Sequence, residues 1–438
     1  MILMRHDVNQ ATILLTTTLL LTQLLSCSHS AVPSSTASNE SSVTIRHNSG
    51  DWPWWRGPTH DGKNSETNPP SQWDTEKNVV WKSPVPGRGH SSPTLSRDRL
   101  YLTTADEEQE TQSLLCFSRG SGEQLWSETI HEGGFDRTHK KNSQASATPA
   151  CDGERVFVAF VNRRALMVTA VDHDGKRAWQ NSAGAFTSEH GFGASPVLYK
   201  STVIVSGDSL GDSFLAALYR QSGEIAWRVP RPKGDTHGNY ATPIVGTVAR
   251  RDQLLVAGRH RIDSYDPNTG EQLWYVTGRI SEVVANTVTF SGDHVFASGG
   301  YPEKELLCIR ADGHGDVSDS KVVWSESQAI TYVPSPVAHN GRLYVVNDKG
   351  IASCYDSKSG TVIWRERIDG NFTASPTLVG GLLYCPNEDG KTYILKASDQ
   401  YEVIGSNDLG VGIFASPVIS NGHIYLRTHD QLYCVGRG

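Results

Sequence analysis

Four histidines, His90, His139, His190 and His237, recur along this 438-residue chain, each in a polar stretch rich in cations or amides. Arg88 accompanies the first, Lys140 and Lys141 the second, Glu189 the third and Asn239 the fourth; Arg259 and His260 follow in the next such stretch. Imidazole titrates near neutrality and serves as donor, acceptor, base or metal ligand, while guanidinium matches carboxylate and phosphate. Together these types suit a pocket for an anionic small molecule, a glycan or a carboxylate-bearing peptide. The alternative is ordinary polar loops around a water-filled channel. A metal is not expected, because the four histidines come from loops of different length and must converge at ~2.0–2.1 Å to share an ion. Asn347–Gly350 (NDKG) and Asn387–Gly390 (NEDG) suit hairpin turns better than calcium loops. The chain has no HExxH or P-loop sequence, and no residue is assigned a catalytic role.

What must position these residues is a repeat. Tyr265–Trp274 reads YDPNTGEQLW: a strand end, a polar turn with Gly270, and a second strand that delivers a tryptophan. The same pattern ends at Trp126, Trp179, Trp227 and Trp364, and a looser copy ends at Trp324. A Ser/Thr-Pro step opens each unit, at Pro93, Pro149, Pro196, Pro243, Pro336, Pro376 and Pro417, with Asn286-Thr287 in the degenerate fifth copy. Two further apolar runs separated by Gly, Asp or Asn turns follow each step. Four short antiparallel strands repeated at roughly 40 to 56 residues form the blade of a β-propeller.

The last unit ends at the C-terminus without a tryptophan strand, while Val79-Val80-Trp81 has no unit before it. Joining the two closes a ring and removes exposed sheet edges. The expected fold is therefore all-β: an eight-bladed β-propeller of four-stranded antiparallel blades, closed by an N-terminal strand that completes the last blade. Trp81, Trp126, Trp179, Trp227, Trp274, Trp324 and Trp364 are expected to dock neighbouring blades as wedges. The seventh blade has Gly405 at that place, a predicted weak spot.

Repeats such as ASPVLYKSTVIVSGD and YDPNTGEQLW, with the opening WPWWRGPTHDG, resemble the PQQ-like β-propeller repeat family. That family includes quinoprotein alcohol dehydrogenases and the outer-membrane assembly lipoprotein BamB. The resemblance to the dehydrogenases implies an adjacent cysteine pair, calcium held by acidic and amide side chains, and a catalytic aspartate. This chain has no adjacent cysteines and no CxxCH. Cys116, Cys308, Cys354 and Cys434 fall at matching third-strand places and read as small core residues. The resemblance therefore implies a non-catalytic, monomeric envelope scaffold like BamB, with no cofactor, that docks envelope proteins such as barrel-assembly machinery. The alternative is a periplasmic oxidoreductase using PQQ with calcium, or a small-ligand or glycan-binding propeller.

The ends of the chain point the same way. Residues 1–27 carry Arg5 and His6, a Thr-rich apolar run, and Leu24-Leu25-Ser26-Cys27, which resembles a lipoprotein signal peptide with Cys27 acylated. Residues 28–50 are Ser-rich and read as a flexible tether, and residues 51–438 as the propeller. An exported, lipid-anchored protein on the periplasmic face of a membrane is expected. The outer membrane is favoured because Ser28, not aspartate, follows the cysteine. With 40 Lys+Arg against 47 Asp+Glu and no basic tract, nucleic acid is excluded as a partner.

Overall fold

The computed structural model describes residues 45–66, 68–234, 237–302 and 305–437. The signal-like segment, Cys27 and most of the expected tether lie outside the described residues. Ordered packing begins before the expected boundary at residue 51. Ile45 packs among the apolar residues between the second and third blades, and the Arg46 N–H donates to the Asp152 carbonyl at 2.9 Å.

Eight antiparallel sheets form an eight-bladed propeller. The first blade illustrates the build: strands Thr94–Ser96, Arg99–Asp106, Thr111–Ser118 and Gln124–Glu132 pair in chain order. The last blade pairs Val418–Ser420, His423–Arg427 and Gln431–Val435 with Val79–Pro84 from the N-terminal side, Trp81 facing Cys434 in register. The chain ends thus share a blade, as the orphan tryptophan strand predicts.

Apolar side chains alternate between the two faces of each blade, and both faces are covered by neighbours. The result is eight buried clusters, one at each interface between blades; the one holding Trp81, Leu95, Phe117 and Tyr425 seals the last blade to the first. Burial of this kind stabilises by ~25 cal/mol per Å² of apolar surface.

The periodic tryptophans dock on the next blade's turn. The Trp81 indole N–H donates to the Arg119 carbonyl (3.1 Å), Trp126 to His173 (2.8 Å), Trp179 to Arg220 (2.9 Å), Trp324 to Ser357 (3.1 Å) and Trp364 to Ser398 (3.0 Å). Trp227 makes the same contact to Pro267 at 3.3 Å. The repeated spacing of glycine before tryptophan has a steric cause. At Gly270, φ is +75°, and an added Cβ would lie 2.7 Å from the Trp227 ring of the preceding blade.

Two departures have physical reasons. Trp274 is fully buried and donates instead to Gln253 Oε1 of its own blade at 2.7 Å. The next blade's third-to-fourth connection is long there, and Gly315–Asp316 adds a parallel strand beside Trp274 and Tyr275. The expected weak spot at Gly405 is filled from elsewhere in sequence. Gly405 sits opposite Ile394, the register equivalent of Trp364 opposite Cys354. Trp73 supplies the missing ring by stacking on Tyr384.

Candidate functional site

The stretch Asp51–Asn64 closes one end of the central channel. Trp52 exchanges backbone hydrogen bonds with Leu95 of the first blade, and the Pro53 carbonyl accepts the Cys151 N–H of the second. Trp54 is buried among residues of the second and third blades and stacks on His60, ring centroids 5.1 Å apart. Arg56 donates to the Pro336 carbonyl of the sixth blade (2.7 Å), and Lys63–Asn64 pairs with the inner strand of the seventh. This tryptophan-rich stretch is a plug tied to blades round the ring.

Above the plug runs a girdle of hydroxyls from the residue before each strand-opening proline. The Ser92 N–H donates to Thr148 Oγ1 (3.0 Å), Thr148 to Ser195 Oγ (2.9 Å) and Ser195 to Thr242 Oγ1 (2.9 Å). After the degenerate copy the chain of bonds resumes from Thr287 to Ser335, Ser375 and Ser416 (2.9 Å each), and Ser416 closes on Ser92 Oγ at 3.0 Å. Thr287 Oγ1 accepts the Trp55 indole N–H at 2.9 Å, which pins the plug to the girdle. A hydroxyl can accept from the neighbouring backbone and still donate its own proton. This explains the repeated Ser/Thr-Pro step: the hydroxyl links blade to blade, and proline follows where no strand N–H is needed.

Over the girdle opens a cavity of about 690 Å³ with Trp55 among its lining residues. Its walls are the loops that precede the Ser/Thr-Pro steps and those joining second to third strands. His90, His139, His190 and His237 all line it, so four of the sequence candidates do converge on one space. His139 and His190 meet edge to face at 5.1 Å between centroids, and His190 and His237 lie parallel at 6.5 Å. His190 Nδ1 is 2.9 Å from the Tyr240 hydroxyl. Partial burial holds the His190 pKa below its ordinary value, opposed by the Glu189 carboxylate. His237 lies between Glu189 and Glu282, at 3.8 and 3.5 Å.

His90 is on another side of the mouth, stacked on Phe414 at 4.9 Å. Burial, reinforced by the positive charges of Arg427 and Arg88, lowers its pKa to about 3, so its imidazole is neutral. Lys141 reaches Glu388 at 2.9 Å, an ion pair between non-adjacent blades, the second and the seventh.

The other candidates are elsewhere. Arg88 pairs with Glu107 at 3.1 Å, outside the cavity lining. Asn239 is buried, its side chain holding the Glu282 carbonyl and the Val284 N–H at 2.9 and 2.7 Å. Arg259 is buried too and donates to the carbonyls of His237 and Ser209. His260 is exposed in a turn with Nδ1 3.3 Å from the Ile280 carbonyl. These act on the shape of the mouth loops, not on its contents. Sequence reasoning missed Trp55, Phe414 and the hydroxyl girdle, although the Ser/Thr-Pro register was itself the signal for the last.

Among the described residues no group of three or more His, Cys, Asp or Glu is arranged to hold a metal ion. The six described cysteines are free thiols, far from forming an adjacent pair. Asn347 and Asn387 each fold their side-chain oxygen onto two backbone N–H groups of their own turn, the hairpin role expected of them.

The family model described as outer membrane protein assembly factor BamB matches residues 71–129, 110–329 and 315–402. Among curated relatives, BamB of Burkholderia pseudomallei is 33% identical over 126 residues, 26% of this chain and 30% of that protein. BamB of Yersinia pestis is 20% identical over 319 residues, 71% of this chain and 76% of that one. The first of these matches spans less than a third of its relative's length. Among solved structures, BamB from Moraxella catarrhalis superposes with a TM-score of 0.59 at 14% identity, covering 82% of this chain and 99% of that one. Quinohemoprotein alcohol dehydrogenase from Comamonas testosteroni gives 0.64 at 11% identity, covering 90% and 81%. At such identities the structural matches establish the fold alone.

Proposed function

This chain belongs to the family of the outer membrane protein assembly factor BamB, and on that premise we propose that it is a non-catalytic propeller scaffold of the cell envelope. It docks protein partners, the barrel-assembly machinery being the class its relatives' printed names suggest. The observation that carries this reading is the family match across most of the blades. A plugged, closed ring is a rigid support for loops, and loop docking requires no catalytic constellation. Export and acylation at Cys27 complete the proposal, because a lipid anchor would keep the scaffold at the membrane where its partners fold.

The test is affinity purification of the full-length chain, cross-linked in its native envelope. Enrichment of an outer-membrane β-barrel assembly component supports the scaffold; its absence from the cross-linked material, with the bait recovered intact, sinks it. Mass spectrometry of the mature N-terminus decides the anchor. A diacylated or triacylated Cys27 is expected, and an unmodified residue at that position argues against it.

A further inference from the structure

The cavity over the plug has chemistry that a docking scaffold does not use. Its floor is Trp55 and the hydroxyl girdle. Seven of the girdle bonds commit a hydroxyl oxygen as acceptor of a backbone N–H, which leaves the O–H to donate. Asn371 adds an amide group to the wall, and Tyr332 and Phe414 add aromatic faces. A wholly apolar guest would leave these donors unmatched and lose their desolvation cost. A polyhydroxylated guest offers both donors and acceptors, and its C–H faces can lie on the rings.

The charges favour an acid. Lys141 and Lys349 both line the cavity. Of the two lining carboxylates, Glu388 is already paired with Lys141 and also accepts Thr373 Oγ1, while Asp348 accepts the Tyr332 and Val333 N–H groups; Lys349, held by Asn371 Oδ1 at 3.3 Å, has no ion pair among the described residues. Behind His90 lies Arg427, 1% exposed, donating only through Nη1 to Ser91 and Thr103. Its Nε and Nη2 are buried without partners, and among the described residues no carboxylate is within ion-pairing distance. His90 Nε2 is also buried and unpartnered at the cavity wall. A buried cation without a counter-charge is costly, and an anion brought to the adjoining space relieves it.

We propose that this cavity is a binding site for a short saccharide carrying a carboxylate. The sugar ring lies over Trp55 with its hydroxyls on the girdle, and the carboxylate lies on the His90 side, where it competes with Glu388 for Lys141. The volume suits one or two sugar units, within the ~300–1,000 Å³ usual for small-molecule sites.

The test is calorimetric titration of the purified mature chain with digalacturonate, with neutral cellobiose and ringless citrate as comparators. Digalacturonate is expected to bind at least tenfold more tightly than either. Lys141→Ala is expected to weaken it about tenfold. Gly193 lines the cavity, and a Cβ there meets no atom within 4 Å. Gly193→Trp places an indole in this space and is expected to abolish binding, with an unchanged Tm verifying that the variant folds. Cellobiose binding as well as digalacturonate, or citrate binding as well, overturns the proposal. So does binding that survives Gly193→Trp, or the lack of any heat with digalacturonate.

Discussion

Trp73 stacks on Tyr384 with ring centroids 6.4 Å apart and planes 18° from parallel, although 311 positions separate them in sequence (384 minus 73). In the sixth blade Trp364 meets Tyr344 at 6.2 Å, but there both residues belong to one repeat. The seventh blade has lost its own tryptophan and borrows one. Two bonds fix the loan: the Trp73 N–H donates to Asn407 Oδ1 at 2.8 Å, and the Tyr384 hydroxyl donates to the Pro70 carbonyl at 2.7 Å. Trp73→Ala is expected to destabilise by about 3 kcal/mol, as large aromatic truncations in cores do. Trp227→Ala, at a regular position, should cost a few kcal/mol as well. Denaturant unfolding measures both, and an unchanged midpoint for Trp73→Ala would show that the seventh blade does not depend on the borrowed ring.

Glycine before tryptophan is required at Gly270 by two independent constraints, its left-handed φ and the Trp227 ring. Gly270→Ala should cost about 1–3 kcal/mol through backbone strain and displaced packing. Gly193→Ala, where φ is ordinary and space is open, should stay within about 0.5 kcal/mol. Equal thermal stability of the two variants would refute the steric account.

The hydroxyl girdle predicts a local effect. Ser195→Ala removes the acceptor of the buried Thr148 N–H. An orphaned buried donor costs about 1–3 kcal/mol. Hydrogen exchange at Thr148 should accelerate more than in the remote sixth blade. Uniform acceleration across the ring would mean that the bond is not a local tie.

Acid should weaken the fold. Burial is the leading cause that lowers the pKa of His60 to about 4, His90 to about 3 and His131 to about 4, against about 6.5 in an unfolded chain. Below pH 6.5 the unfolded state binds protons that the native state refuses. Stability is therefore intact above pH 6.5 and falls as pH drops toward the folded values, by up to about 1.4 kcal/mol per pH unit for each histidine. Tm measured from pH 7.5 to 4.5 should decline throughout the lower half of that range; a rise on acidification contradicts the burial of these rings.

The six described cysteines are buried free thiols. Burial raises the thiol pKa of Cys151 to about 12 and of Cys116 to about 11, so little reactive thiolate forms at neutral pH. A thiol reagent should label none of the six before unfolding, and reductant should leave Tm unchanged. A reductant-sensitive Tm would reveal a bond between them.

The repeat by itself determined the blades, their number and the shared closing blade, because β-strand periodicity and turn chemistry are local and each unit restates them. It also located four histidines on loops that gather at one mouth. Only the tertiary structure decided which rim residues face the same space: Arg259 and Asn239 turn inward to brace backbone, and Arg88 turns aside to Glu107, choices set by packing between blades. Trp73 repairing a blade far along the chain, Trp55 flooring the channel and the hydroxyls linking blade to blade are likewise contacts across large sequence separations. A linear pattern specifies which residues repeat, but the closure of the ring determines what each one touches.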